Sequence, residues 1–561
     1  MQRNTVKAGF LAFLSGLFLR VDAGVAPTIT VSSSTTSFVN LANKTASGVI
    51  NDPTDPLATL GINFSLTDED VSSVVISCSS NKTSVVPNNV ANLIFSGTGG
   101  LRNLKIKPTG VGYATLTVTV KDNESKTATY TLKYAASAAA LDPSQNYYYT
   151  HLSSASTAIA VGNDYMFIGD DEYNELAMYD RHQSGMPVAK FDFTSSLNLP
   201  DASTTEVDIE ASCLSPSNPN RMYWMGSMSN SKSGDQKPNR DRIFATDKTG
   251  TGISTKLSFV GYASLRAQVI KWGDANGYNL SASTKTGIIP KQIDGFSMEG
   301  LEFGPDNTTL FLGFRTPYVP VTNRTKALIC PVLNFETWFN GGSPSGNPSF
   351  GSPIELDLGG RGIRSLGKNS ANEYIIVAGA FDGTDNFALY KWTGKASDAP
   401  VKLTVDLTGL NPEGIVEVPA TLDQDKKMEL VSDDGTVDWY NDGTQSKDLT
   451  TFEFQKFAAT WVTFPGSIAS LSDETAEIQP GAMRIYPSPL SDVAQLVYPS
   501  TSNEKVEFRI LDMQGKIVHS QTNAVSDGVQ DIRIDCEGLP KGYYLLIAEN
   551  TGKMPVRFSK K

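Results

Sequence analysis

Cysteine and histidine are nearly absent from this chain of 561 residues, which has four of one and three of the other. Cys78, Cys213, Cys330 and Cys536 stand far apart, with no C-x-x-C pair and no histidine close by in sequence. That spacing excludes the usual zinc patterns and argues against a disulfide framework. The four read as small buried hydrophobes. His151, His182 and His519 share no spacing. A Ser-His-Asp or Cys-His hydrolase is therefore disfavoured, as is a multi-histidine metal centre. Positive charge is also short: 47 Lys and Arg stand against 59 Asp and Glu, a net charge of -12. Phosphate backbones are gripped by clustered Lys and Arg, so no nucleic acid partner is expected. After the first two dozen residues no apolar run reaches the roughly 20 residues that span a bilayer, so no transmembrane anchor is expected.

What is present reads as a globular, exported chain. Hydrophobic residues make up 40% and charged residues 19%, which places the chain among folded proteins. Its length suggests three or four domains, at roughly one per 150 residues, and fewer if repeats build one large fold. Residues 1–23 have the order of a signal peptide. Arg3 and Lys7 charge the start, Ala8 to Leu19 is apolar, and Val21-Asp22-Ala23 ends on a small residue. Ala26 offers an alternative cleavage point.

Residues 481–561 read as short strands with turn punctuation. Ile485-Tyr486-Pro487-Ser488-Pro489 opens the segment. Phe508 to Val518 is strand, turn, strand, with Gly515 at the turn inside Asp512-Met513-Gln514-Gly515-Lys516. Leu539-Pro540-Lys541-Gly542-Tyr543 leads into another strand, and the chain stops on Lys560-Lys561. The order resembles the type A C-terminal sorting domain of Bacteroidetes type IX secretion cargo, a small β-sandwich. That family has a YPNP-like opening, here YPSP with Ser488 as the departure. The resemblance implies export by signal peptide to the periplasm, then passage across the outer membrane by the type IX machinery acting on residues 481–561. The product is then secreted or attached to the outer cell surface.

Residues 27–135 are rich in Val, Thr, Ser and Ile. Thr28-Ile29-Thr30-Val31, Val74 to Ser77, Asn103 to Lys107 and Ala114 to Val120 alternate as strands do. An antiparallel sandwich is expected. Gly48-Val49-Ile50-Asn51-Asp52-Pro53-Thr54-Asp55-Pro56 and Val120-Lys121-Asp122 resemble the Ig-like or cadherin-like modules of bacterial surface proteins. Asp52, Asp55, Asp68, Glu69, Asp70 and Asp122 would supply calcium ligands if one end of the sandwich gathered them. The competing reading is solvated carboxylates that cap their own turns.

Residues 145–465 hold five units of one layout: strand, turn, strand, polar turn, strand. Second strands are the clearest, as in Tyr165-Met166-Phe167-Ile168-Gly169, Met222-Tyr223-Trp224-Met225-Gly226 and Tyr374-Ile375-Ile376-Val377-Ala378-Gly379. The third strand of the fifth unit is read at Val437-Asp438-Trp439-Tyr440, and a fourth strand is read at Lys402 to Leu407. Four-stranded units repeated radially make a β-propeller. The expected fold is thus all-β: an Ig-like sandwich, a five-bladed propeller and a small C-terminal sandwich. Leu265 to Gly295 fits no unit and is either a long loop with a helix or a sixth blade.

In a propeller the first strand of each blade lines the channel. Glu210, Glu299 and Glu413 open first strands as D-I-E-A, M-E-G and P-E-G, with Arg364 in the comparable place of the fourth unit. Asp170, Asp171, Glu172, Ser227, Arg315, Asp433 and Asp434 end second strands, and Arg242 opens a third strand. These residues are the candidate channel site. The glycine after the glutamate would let a backbone or ligand approach. The alternative is that each glutamate ties neighbouring blades together. The segment resembles a phytase-like, esterase-like propeller family through its E-[AG] strand starts and through Gly226-Ser227 followed by Asn239-Arg240-Asp241-Arg242. The resemblance implies calcium as cofactor and phosphoester hydrolysis, but carries no catalytic signature. Two functions are in view. One is a secreted protein whose propeller binds a glycan, a phosphorylated compound or a surface protein. The other is a calcium-assisted extracellular hydrolase of phosphoesters or esters.

Overall fold

A computed structural model describes residues 24–31, 39–40, 42–138, 145–384, 386–423, 425–464, 483–486, 493–512, 516–549, 551, 553 and 555–560. The expected signal peptide, the turn at Gly515 and Pro487-Ser488-Pro489 lie outside these residues. The chain divides into two compact units, Met1–Ser467 and Ile468–Lys561.

The first unit opens with two β-sheets. One has the order Thr28–Val31, Ile62–Thr67, Leu101–Ile106, Leu93–Ser96. The other runs Val39–Asn40, Thr45–Val49, Thr127–Ser137, Gly112–Lys121, Val75–Ser80. Alternation places Phe64, Leu66, Leu104, Ile106, Leu116, Val118 and Leu132 in one core and leaves Thr, Ser and Lys outside.

Five four-stranded antiparallel sheets follow. Four of them are built from consecutive strands, with innermost strands Ala155–Val161, Ile209–Leu214, Ser297–Phe303 and Gly362–Lys368. The fifth joins Pro412–Ile415, Lys427–Ser432 and Lys456–Thr463 to Asn146–Thr150, a strand from the start of the segment. Each innermost strand packs on the next, and Pro412–Ile415 packs back on Ala155–Val161. Second strands are buried along nearly their whole length, which explains their continuous apolar runs.

One local alternative is resolved and two local readings change. Leu265 to Gly295 carries the helices Arg266–Ala275 and Leu280–Ser283, so it is the loop with a helix. The third strand of the fifth sheet is Lys456–Thr463, and Val437 to Tyr440 forms no strand. The strand expected from Lys402 to Leu407 is only Val401–Lys402.

Trp439 and Tyr440 have a different task. With Tyr148, Phe454 and Ala458 they pack on Val49 and Ala135, joining the fifth sheet to the N-terminal sheets. Lys456 is 1% exposed in this joint. Its Nζ donates to Ser137 Oγ at 2.8 Å and to the Gly48 carbonyl at 3.3 Å, and lies 5.3 Å from the Tyr440 ring centre. Gly48 is required here, because a Cβ would lie 2.7 Å from Asp55 Oδ2. Burial lowers the Lys456 ammonium to about 7 and raises Asp55 to about 6.

The second unit holds a three-stranded sheet, Arg484–Tyr486, Val493–Ser500, Gly528–Asp535, and a four-stranded one, Ile517–Val525, Glu504–Asp512, Gly542–Ala548, Val556–Lys560. Leu496, Tyr498, Phe508, Ile510, Ile534 and Leu546 form its core. No described helix is long and apolar enough to cross a membrane.

The Lys456 environment has a measurable consequence. The unfolded lysine keeps its proton up to its ordinary value of 10.5, and the folded one up to about 7. The unfolded state therefore binds more protons in that window, and stability rises with pH across it. Thermal unfolding from pH 7 to 9.5 is expected to show this rise for the native chain and to lose it in Lys456→Met. Equal slopes would contradict the assignment.

Candidate functional site

One irregularity recurs in all five innermost strands. Register with the second strand skips a residue between Ala155 and Thr157, Ile209 and Ala211, Met298 and Gly300, Ile363 and Ser365, and Pro412 and Gly414. The residues left without a partner are Ser156, Glu210, Glu299, Arg364 and Glu413. Such a bulge bends the strand and re-aims the side chain at the extra position. All five bulges lie at the starts of their strands, so the re-aimed side chains share one end of the ring.

Four charged groups there form a buried ladder. Arg315 Nη1 donates to Glu299 Oε1 at 3.0 Å. Arg364 Nε lies 2.8 Å from Glu299 Oε2, an ion contact off the hydrogen-bonding line, and Arg364 Nη2 meets Glu413 Oε1. None of these residues is more than 6% exposed. Arg315 also donates to the Phe381 carbonyl. Ser156 closes the same level by donating to the carbonyls of Gly169 and Ile209.

Glycine after glutamate serves packing. A Cβ at Gly414 would lie 2.5 Å from Val431 Cγ2 and 3.0 Å from Thr157 Cα; one at Gly300 would lie 2.8 Å from Ile363 Cγ2. At these two positions glycine lets the innermost strand sit against the next, so of the expected backbone or ligand it is protein that fills the space.

Glu210 stands apart from the ladder. It is 9% exposed, and no described residue donates a hydrogen bond to it or pairs with it. Oxygens of Asp171, Asp208 and Glu210 lie within 4.8 Å of one another. Asp171 Oδ1 is inaccessible to water and has no donor. Asp208 is held by Arg240 Nη1 at 2.9 Å, and Arg240 also pairs with Glu206. Burial is the main cause that drives Asp171 and Glu210 well above the usual carboxylate range and raises Asp208 to about 6; neighbouring carboxylates add to it. Asp433 adds negative charge beside Asp171. Lys291 brings positive charge near Arg315, Arg364 and Asp433, and burial lowers it.

The other expected site residues do structural work. Asp170 accepts from the amides of Ser154 and Glu172, each at 2.9 Å, and burial raises it to about 7. Asp434 accepts from the Ala458 amide at 2.8 Å, and Asp433 accepts from the Gly435 amide at 3.0 Å. Glu172 pairs with Lys447, and Ser227 bonds Ser229. Arg242 does not join the cluster: it donates to the Leu197 and Asn198 carbonyls and lies over Tyr262. The aspartates of the N-terminal sheets also do not gather. Asp55 caps the helix Pro56–Thr59, and Asp52 accepts from Thr54. Asp68 accepts from Asp70, Asp70 from Ser72, and Asp122 from Glu124 and Lys126. The cation that Asp52 and Asp55 face is Lys456. Among the described residues the one group of three close carboxylates is Asp171, Asp208 and Glu210.

Asp208, Arg240 and Lys291 were not singled out by sequence. Asp208 stood two residues before Glu210 in D-I-E-A, and Lys291 lies in the segment that fits no unit. The opposite end of the ring, where the innermost strands finish, opens into a cavity of about 620 Å3 lined by residues such as Ser212, Glu302, Leu366, Lys368 and Val416. Two of its charged residues are engaged: Lys368 Nζ donates to Asn307 at 2.6 Å and to the Gly304 carbonyl at 3.0 Å, and Glu302 accepts from the Phe303 amide.

Residues 484–558 match the family described as the secretion system C-terminal sorting domain. That segment makes the chain a cargo of the type IX machinery, secreted or held on the outer surface. No curated protein matches the chain. Among solved structures it overlaps an extracellular domain described as part of a hybrid two-component system of B. thetaiotaomicron, at 11% identity and TM-score 0.24, over 80% of this chain and 49% of that one. It overlaps the GH43 protein BlXynB of Bacillus licheniformis at 10% identity and TM-score 0.30, over 74% and 90%. It overlaps latent PorU of Porphyromonas gingivalis at 10% identity and TM-score 0.15, over 77% and 35%. The chain thus spans about half the length of the first of these.

The ladder sets a testable energy. Arg364→Ala leaves Glu413 buried and unpaired and takes from Glu299 one of its two arginines, and is expected to cost about 3–5 kcal/mol. All six tryptophans belong to the first unit, so their fluorescence in urea reads it selectively. The quadruple change Glu299→Gln, Arg315→Met, Arg364→Met, Glu413→Gln removes every charge of the ladder and is expected to recover most of the loss. A loss under about 1 kcal/mol for Arg364→Ala, no more than a surface pair contributes, would contradict the ladder.

Proposed function

We propose that this chain is an exported binding protein whose five sheets are the blades of one β-propeller, and that the acidic mouth at the starts of the innermost strands takes a glycan. The return of Asn146–Thr150 to the edge of the fifth sheet supports a ring closed on itself. The observation that carries the ligand is Glu210, which keeps 9% exposure and accepts no hydrogen bond from any described residue, with the unpaired Asp171 Oδ1 close beside it. Buried acceptors of this kind gain most from hydroxyl donors, which a glycan supplies in quantity.

The same charges speak against a phosphorylated ligand. Arg315 and Arg364 are neutralised by Glu299 and Glu413, and Arg240 by Glu206 and Asp208. No guanidinium in the mouth is left free of carboxylates to grip a phosphate. The phytase-like reading of calcium-assisted ester hydrolysis is therefore the second one. Carboxyls held above their usual range, as at Asp208 and Glu210, are its support.

An array of neutral, amino and uronic-acid glycans probed with the full chain separates the two. Saturable glycan binding is expected, at least tenfold weaker in Glu210→Ala and unchanged in Lys248→Ala at the opposite cavity. No glycan bound, or binding indifferent to Glu210, would overturn the reading. Turnover of p-nitrophenyl phosphate or acetate would favour the hydrolase. For export, a chain truncated after residue 480 is expected to stay inside the outer membrane of the producing cell, as read by fractionation. Its appearance in the medium would contradict the role of the sorting domain.

A further inference from the structure

We infer that Asp171, Asp208 and Glu210 form a binding site for one divalent cation, with calcium as the ion its chemistry suits. The three residues come from two neighbouring sheets. Asp171 follows the second strand of the first sheet, Tyr165–Asp170. Asp208 and Glu210 flank Ile209, where the innermost strand of the second sheet begins. Asp208 holds a left-handed backbone, φ +61°, just before the bulge that aims Glu210 into the same space. Two consecutive irregularities thus turn side chains two residues apart toward Asp171.

An acidic cluster alone says little, since carboxylates on a surface are solvated. Here two independent features point to a missing ligand. Glu210 is nine-tenths buried and accepts no hydrogen bond from any described residue. Asp171 Oδ1 is sealed from water and has no donor. Leaving a buried carboxylate oxygen unpaired costs several kcal/mol in general, and nearby protein groups do not relieve it. Arg315 and Arg364 are spent on Glu299 and Glu413, and Arg240 reaches only Asp208 of the three. Arg364 Nη1 is buried and has no hydrogen-bond partner, so it does not reach Glu210.

The donor set is all oxygen, which selects hard cations over zinc or copper. Oxygens within 4.8 Å of one another can surround an ion at about the 2.3–2.6 Å of a calcium–oxygen bond. Calcium accepts a flexible set of six to eight oxygens, whereas magnesium demands a near-ideal octahedron at about 2.0–2.1 Å. Three protein ligands leave coordination positions open toward the mouth. A cation there would offer those positions to hydroxyl groups, so the inference deepens the glycan reading and rests on the same unpaired oxygens of Glu210 and Asp171.

Isothermal titration of the full, chelator-treated chain with calcium chloride alone, with no glycan, tests the site directly. One equivalent is expected to bind with Kd near 10⁻⁴ M, in the range of about 10⁻⁴–10⁻³ M for extracellular modules. The double variant Asp171→Asn, Glu210→Gln is expected to bind at least tenfold more weakly. Without calcium the same variant should melt higher than the native chain, because the repulsion is gone, and it should gain nothing when calcium is added. That gain separates loss of a site from loss of folding. Asp122→Asn, in the N-terminal sheets, should bind as the native chain does. No binding of calcium at millimolar concentration, or full binding by the double variant, would overturn the inference. Glycan binding that persists in chelator with calcium bound elsewhere would leave the glycan reading standing and remove this one.

Discussion

A single buried chain of charge, Arg315 to Glu299 to Arg364 to Glu413, links three of the five innermost strands and organises everything around it. Two arginines balance two glutamates, so the ladder is neutral and can be buried. Each member other than Arg315 sits at a bulge, where the backbone gives up one rung of pairing to turn a side chain inward. Breaking the ladder at Arg364 would strand Glu413 and leave Glu299 with Arg315 alone. The ladder also uses up the arginines. Glu210 holds the equivalent place in the second sheet and has no arginine of its own, which leaves the mouth short of positive charge on that side.

That shortage is what makes one end of the ring chemically open. The other end has a cavity of about 620 Å3, yet its Lys368 and Glu302 are satisfied by neighbouring backbone and amide groups. Size and unsatisfied chemistry point to opposite ends of the ring. Unpaired buried acceptors are the rarer feature in folded proteins, and the harder one to explain as packing alone. The N-terminal sheets contribute from outside the ring. Their joint with the fifth sheet, built on Trp439, Tyr440 and Lys456, braces the sheet that carries Glu413.

The layout of repeated strands was legible because second strands are buried on both sides and read as unbroken apolar runs. The channel glutamates were legible because they recur at strand starts. Their bulges were not, since a skipped register leaves no mark in residue type. Nor was the pairing of Arg364 with two glutamates, which depends on which sheets are neighbours. The glycines were expected to admit a backbone or a ligand, and of the two it is the neighbouring strand that they admit. Val437 to Tyr440 read as the third strand of the fifth unit, yet its aromatics serve the joint with the N-terminal sheets. Arg242 read as a channel residue from its place beside a strand, but third strands lie away from the channel, and it packs on Tyr262 instead. Asp208 was passed over because an aspartate in a turn is commonplace, and only its backbone conformation makes it face Glu210 and Asp171.

The most direct measurement is hydrogen exchange of the full chain with and without millimolar calcium, read by amide. If the acidic mouth is the working end, the Asp171 and Ser227 amides, which bond the Ser154 and Asp208 carbonyls, will exchange more slowly with calcium. The loops at Asn307 and Asn372, by the opposite cavity, will not change. Slowing confined to those loops, or no change at Asp171 and Ser227, would contradict the assignment of function to the acidic mouth.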